Sequence, residues 1–147
     1  MEKVHIEIEW YDGPRRGIAD FNGAPHRFIS QFREYEEGFK VDQDRDVFDV
    51  YPISQNEFKL EQEQWKIFVE WNSKFEAGEL SIDSHPAKGN INSRWDEIET
   101  LLVSSRDVIP PNALEAYAVF TYIENRLRYS VMGPSYGVSW ELLCEAA

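Results

Sequence analysis

The chain has 147 residues, with 15 Lys and Arg against 27 Asp and Glu, a formal charge of −12 at pH 7, and 14% aromatic residues. That length fits one domain over residues 1–147. The aromatic share excludes a disordered polymer, no stretch approaches the ~20 apolar residues of a membrane helix, and the acidic balance opposes a nucleic-acid groove, which needs positive potential.

Val4, Ile6, Ile8 and Trp10 alternate with His5, Glu7, Glu9 and Tyr11. Period-2 alternation predicts a half-buried strand with the first four residues on one face. Asp12–Gly17 holds two glycines and a proline and reads as a loop. A short strand follows at Ile18–Phe21. Asn22-Gly23 is the pair that type I′ hairpin turns prefer, because both positions need φ > 0. The returning strand is expected from Ala24 to about Tyr35. A two-residue turn pairs Phe21 with Ala24, Asp20 with Pro25 and Ala19 with His26. Ala19, Phe21, His26, Phe28 and Phe32 then share one face, and Ile18, Asp20, Arg27 and Ile29 the other. In that register Pro25 leaves the start of its strand unpaired on the far side. Residues 34–46 read as a strand end and polar loop, and Val47–Ile53 as a strand carrying Phe48 and Val50.

Residues 55–77 project as a helix. Phe58, Leu60, Trp65, Ile67, Phe68, Val69, Trp71 and Phe75 fill one wide arc, with lysines and glutamates opposite. Gly78 is the expected terminator. Residues 80–92 form a loop. Asn92 or Ser93 caps a second helix, with Ser93-x-x-Asp96 approximating a capping box and Trp95, Ile98, Leu101 and Leu102 as its stripe. Pro110-Pro111 ends this unit. Residues 116–124 are ambiguous between helix and strand, and the run Val119-Phe-Thr-Tyr-Ile123 tilts the reading to strand. Gly133-Pro134-Ser135 reads as a turn, and Gly137–Leu143 as a closing strand around Trp140. The order of strands, two helices, then strands predicts an α+β fold: a mainly antiparallel sheet with both helices on one face.

The strings Trp10-Tyr11-Asp12-Gly13-Pro14-Arg15-Arg16-Gly17 and Ala19-Asp20-Phe21-Asn22-Gly23-Ala24-Pro25-His26 resemble the opening of a group of small, uncharacterised bacterial proteins. Glu61-Gln62-Glu63-Gln64-Trp65 and Val138-Ser139-Trp140-Glu141 extend the likeness. The resemblance implies bacterial origin and one small domain. It brings no activity, ligand or catalytic residue.

Glu61 projects into the apolar arc of the long helix, where a carboxylate is costly unless paired. His26, Arg15 and Arg16 are its expected partners. Such a pair is either a structural tie between helix and sheet or an acid/base pair in a cleft. Arg15 and Arg16, beside Tyr11 and Asp12 in their loop, form either an anion grip or a solvated turn. The tie and the solvated turn are the commoner outcomes; the alternative is a ligand pocket around Tyr11, Asp12, Arg15, Arg16, His26 and Glu61, whose ligand would be a small anion.

Asp42, Asp44 and Asp46 alternate, but an EF-hand counted from Asp42 needs Gly and Glu where Val47 and Ile53 stand. His5, His26 and His85 lack zinc spacing. No cofactor motif is present. Cys144, the single cysteine, allows no intramolecular disulfide, and the opening Met1-Glu2-Lys3 carries no signal pattern, so a cytoplasmic setting is expected. The run Glu34–Asp49 sets seven acids against Lys40 and Arg45. Together with the overall charge it suggests a binding or interaction module for a basic protein.

Overall fold

The computed structural model describes residues 1–33 and 46–143. The N-terminal alternation forms β1 (Glu2–Trp10), followed by β2 (Pro14–Phe21), β3 (Ala24–Ser30) and β4 (Asp46–Pro52). Then come α1 (Gln55–Glu76) and α2 (Ser93–Arg106), separated by two single 3-10 turns at Ile82–Ser84 and Pro86–Lys88. The chain closes with β5 (Leu114–Tyr122), β6 (Tyr129–Ser130), β7 (Gly133–Pro134) and β8 (Tyr136–Leu142). The α+β class and the antiparallel pairing are as expected. The sheet, however, closes on itself as a six-stranded barrel in the order β1-β2-β3-β4-β5-β8. Leu114–Tyr122 is a strand, which resolves the ambiguous segment.

Closure decides which residues are core. Val4, Ala19, Phe21, Phe28, Phe48, Val50, Ala116, Ala118, Tyr136 and Val138 form one buried cluster, joined by Phe120 and Trp140. Phe28 and Phe48 meet edge to face with centroids 5.6 Å apart, and Trp140 lies within 6.0 Å of both. Gly17 makes room for them. A Cβ there would collide with the Ile6 carbonyl and lie 2.7 Å from Phe28 Cζ.

The Asn22-Gly23 turn sets the expected register, from Phe21↔Ala24 to Ala19↔His26. β4 pairs with β3 only from His26 onward, so the start of β3 is unpaired on that side, as Pro25 requires. β1 does not keep one phase. Its pairing steps from Val4↔Ala19 to Ile6↔Ile18, so two residues of β1 oppose one of β2. This bulge turns Ile6 to the outside while Val4 stays in the barrel.

The outward residues meet α1. Ile6, Ile18 and Trp65 form a second buried cluster, flanked by Ile8, Ile53, Phe58, Phe68, Val69 and Tyr129. The Ser54 hydroxyl caps α1 by accepting from the Glu57 N–H, and Gly78, at φ 78°, follows its end. α2 starts at Asn92, whose side chain accepts from Trp95 N. Asp96 closes no capping box and instead accepts from Asn90 N. α2 buries Ile98 and Leu102, while Leu101 of the expected stripe is exposed.

Two local readings are corrected. Pro14–Gly17 belongs to β2, and the loop before it is only Tyr11–Gly13. Gly133-Pro134 is strand β7, with the turn at Val131-Met132. Gly133 serves close approach, since a Cβ there would strike the Val4 carbonyl. The strand beginning at Ala24 ends at Ser30, and the part of the expected strand beyond Arg33 lies outside the described residues.

Candidate functional site

The six residues of the alternative pocket lie in a turn, two strands and a helix: Tyr11 and Asp12 before β2, Arg15 and Arg16 in β2, His26 in β3 and Glu61 in α1. Arg15 and Arg16 are successive residues of β2 and point to opposite faces. Arg15 is buried; its Nη1 donates to Asp46 Oδ2 at 2.6 Å and its Nε to the Tyr11 carbonyl at 2.6 Å. Ser30 Oγ donates to the same Asp46 oxygen. Arg16 reaches outward and donates to the Arg106 carbonyl at the C-terminus of α2 and to Asp107. Tyr11 and Asp12 are exposed in the turn. His26 is bonded to the carbonyl of Ala24 through Nδ1 and packs on Phe21. Neither arginine of β2 nor His26 is bonded to Glu61. Of the alternating aspartates, Asp42 and Asp44 lie outside the described residues, as does Cys144. Among the described residues no group of three or more His, Cys, Asp or Glu is placed to hold a metal ion.

Glu61 is buried as its helical position requires, at 1% exposure, and its partners are Arg27 and Arg106. Arg27 is also 1% exposed; its Nη1 donates to Glu61 Oε2 at 2.7 Å and its Nη2 to Glu57 Oε2 at 3.3 Å. Arg106, from the last turn of α2, donates to both Glu61 oxygens and, through Nη1, to Glu99 Oε1 at 2.7 Å. Gln64 bridges the two sides, accepting from Arg106 and donating to Glu99 Oε1 at 2.8 Å. Burial alone would pull the Arg106 guanidinium down. The hydrogen bond and charge of Glu61, then those of Glu99, outweigh it and hold the group above its ordinary value. With both Glu61 oxygens bonded to guanidinium, this carboxylate is a clasp between sheet and helices. Its charge is held by two guanidinium groups, from the sheet and from α2.

Sequence reasoning missed both partners. Arg27 falls on the face opposite Phe28, with Ile18, Asp20 and Ile29, and no feature of the sequence singles out Arg106. The available signal was the company Arg27 keeps, since Ile18 and Ile29 share its face and a strand apolar on both faces is buried on both.

Beside the clasp lies a cleft of about 300 Å³. Its sheet side is Ile6, Glu7 and Ile8. Trp65 and Phe68 of α1, His85 and Ala87 of the connecting turns, and Trp95 of α2 form its walls, and Glu61, Gln64, Glu99 and Arg106 its polar end. The His85 ring sits 4.4 Å from Trp71 and 5.7 Å from Phe68. Its Nδ1 accepts from the Ala87 N–H at 3.0 Å, which puts the proton of the neutral ring on Nε2. Burial lowers the His85 pKa, in keeping with a neutral imidazole. The Trp65 indole is held by the Ser130 carbonyl at 2.7 Å, so this wall is fixed in place.

A second polar group sits where β1 meets β8. Glu7 accepts from Tyr136 Oη at 2.6 Å, Arg128 Nη2 at 2.8 Å and Tyr129 Oη at 3.3 Å. Arg128 also lies over the rings of Trp10, Tyr129 and Tyr136. Burial first, then the Glu7 charge, pushes the Tyr136 phenol far above its ordinary value.

Among the described residues no helix is long and apolar enough to cross a membrane. No protein-family model matches the chain, and no curated protein or solved structure is significantly similar to it.

Proposed function

We propose that the protein is a small binding module whose site is the cleft between α1, α2 and β1. One observation supports this most directly: a concave space of about 300 Å³ combines aromatic and apolar walls with a few polar groups. Small-molecule sites have that composition, and the volume is at the lower limit of their range. The carboxylates at the polar end are bonded to arginine or glutamine, which favours binding over acid/base chemistry. The site retains Glu61 from the expected constellation, but only at its border. Bacterial origin and a cytoplasmic setting belong to this proposal.

The test is ligand-observed NMR with a mixed set of small amphiphiles on the full chain, repeated on Trp95→Ala. Binders should appear for the wild type and disappear for the variant. Binders that survive the substitution, or none at all in the wild type, would remove the cleft from consideration.

The charge of −12 supports a second reading, in which the acidic surface receives a basic protein. Most of its densest acidic run lies outside the described residues. Retention of a basic protein from the host at low salt, and its release at raised salt, is the expected result. No retention at low salt would end this reading.

A further inference from the structure

Resting on the cleft as the binding site, we infer that its ligand class is an organic cation: an ammonium head on an apolar body. The inference follows from which charges at the cleft remain open. Three carboxylates and one guanidinium line it. Glu61 has both oxygens bonded to arginine. Glu7 has both bonded, one to Arg128 and Tyr136 and the other to Tyr129. Arg106, the one cation, uses Nε, Nη1 and Nη2 on Glu61, Glu99 and Gln64. Glu99 differs. Its Oε1 accepts from Arg106 and Gln64, while its Oε2 has no partner among the described residues. Its side chain is 44% exposed and lines the cleft. The open charge of the cleft is therefore negative.

The walls agree with that sign. Trp65, Phe68 and Trp95 present π faces and edges, and a cation held against an aromatic face gains from the ring quadrupole. Tryptophan is the strongest such partner. The field of the whole chain, at −12, concentrates cations and repels anions. Two neutral donors offer an anion something: Trp95 Nε1 and His85 Nε2 have no partner among the described residues. They line the same small space as the open oxygen of Glu99, and a charged acceptor outweighs two neutral N–H dipoles. The same donors suit a hydroxyl or carbonyl on the body of a cationic ligand.

The test compares three probes of nearly equal shape on the full chain: phenethylammonium, 2-phenylethanol and 3-phenylpropanoate. Affinity is read by calorimetry, and location by the Trp95 indole N–H resonance. The cation should bind about tenfold or more tightly than either other probe. Glu99→Gln keeps an oxygen acceptor for Arg106 and Gln64, and it should erase that preference while leaving 2-phenylethanol unchanged. Added salt should weaken the cation and not the alcohol, a check independent of any variant.

Equal binding of all three probes with a silent Glu99→Gln would overturn the cation assignment and leave the cleft standing. No binding and no Trp95 shift with any probe would overturn both. Two further ligands separate the sources of such a head group: a free alkylamine, and a short acetylated peptide carrying one lysine. Tighter binding of the amine assigns a small metabolite, and tighter binding of the peptide assigns a side chain of a basic protein.

Discussion

The barrel interior and the layer between β3, α1 and α2 are both buried, but by opposite chemistry. The interior packs Phe28, Phe48, Phe120 and Trp140 around small residues such as Ala19 and Ala116, and its charge is confined to the Arg15–Asp46 pair on the same strand phase among the described residues. The outer layer buries Arg27 and Glu61 to 1% exposure and joins them to Arg106, Glu57, Glu99 and Gln64. In the first region each residue contributes through packing, and its loss leaves a cavity. In the second, each charge is tolerable only because its partners are in place. A buried carboxylate thus marks a load carried by its neighbours before it marks a catalytic group.

The largest expected effects test that contrast directly. Phe28→Ala should cost about 3–5 kcal/mol by emptying the centre of the barrel. Glu61→Ala should cost a similar 3–5 kcal/mol, because Arg27 remains buried without its main partner. Urea unfolding separates the two mechanisms when a triple variant is added. Arg27→Met, Glu61→Leu and Arg106→Met together remove the charges and keep the volume. Its stability should equal or exceed that of the wild type. A triple variant as unstable as Glu61→Ala would show that the clasp contributes more than the desolvation it must offset.

The sequence carried much of this arrangement, and the reason for each gap is physical. The β2–β3 register was legible because two turn residues with φ > 0 pin it locally. The helix was legible because a 22-residue amphipathic run has no competing reading, and so was the burial of Glu61 within its arc. The partners of Glu61 were not legible, because they depend on which face of β3 meets the helix. The phenylalanine-rich face looked like the helix side. Barrel closure, made by β8 pairing with both β1 and β5, turns that face inward and gives the helix the face with Arg27. Closure is a long-range pairing with no local signal. The bulge at His5 is likewise silent in the alternation it interrupts. The cleft escaped notice because its walls come from three separate segments.

Two tyrosines sharpen the comparison at lower cost. Tyr136 donates to the buried Glu7 carboxylate at 2.6 Å. Tyr136→Phe should lose about 1.5–3 kcal/mol, the value of a hydrogen bond to a charged group. Burial raises the Tyr136 pKa, so its folded state holds the proton that the unfolded chain releases near pH 10. That contribution is complete below about pH 10 and falls as pH rises further. The phenylalanine variant should therefore lose less stability than the wild type between pH 9 and 11. Tyr51 lies opposite Arg27 in the outer layer, and its hydroxyl is buried without a partner among the described residues. Tyr51→Phe should be neutral, or stabilising by up to about 1 kcal/mol. Equal losses at both tyrosines would erase the distinction between a satisfied and an unsatisfied hydroxyl.

The smallest effect belongs to His85 at the cleft. Its pKa is lowered by burial, so the unfolded chain binds the proton more readily than the folded one. By linkage, stability rises with pH wherever the unfolded state holds more protons. The contribution of His85 is thus complete above its unfolded value of about 6.5 and is lost as pH falls through that value toward the lower folded one. His85→Asn keeps a side-chain acceptor for the Ala87 N–H and removes the titration. Urea midpoints at pH 7.5 and 5.5 should drop more for the wild type than for this variant. An equal drop would place His85 in water rather than against Trp71 and Phe68. A cation in the cleft should enlarge the wild-type difference, since protonated His85 would repel it across the space it shares with Glu99.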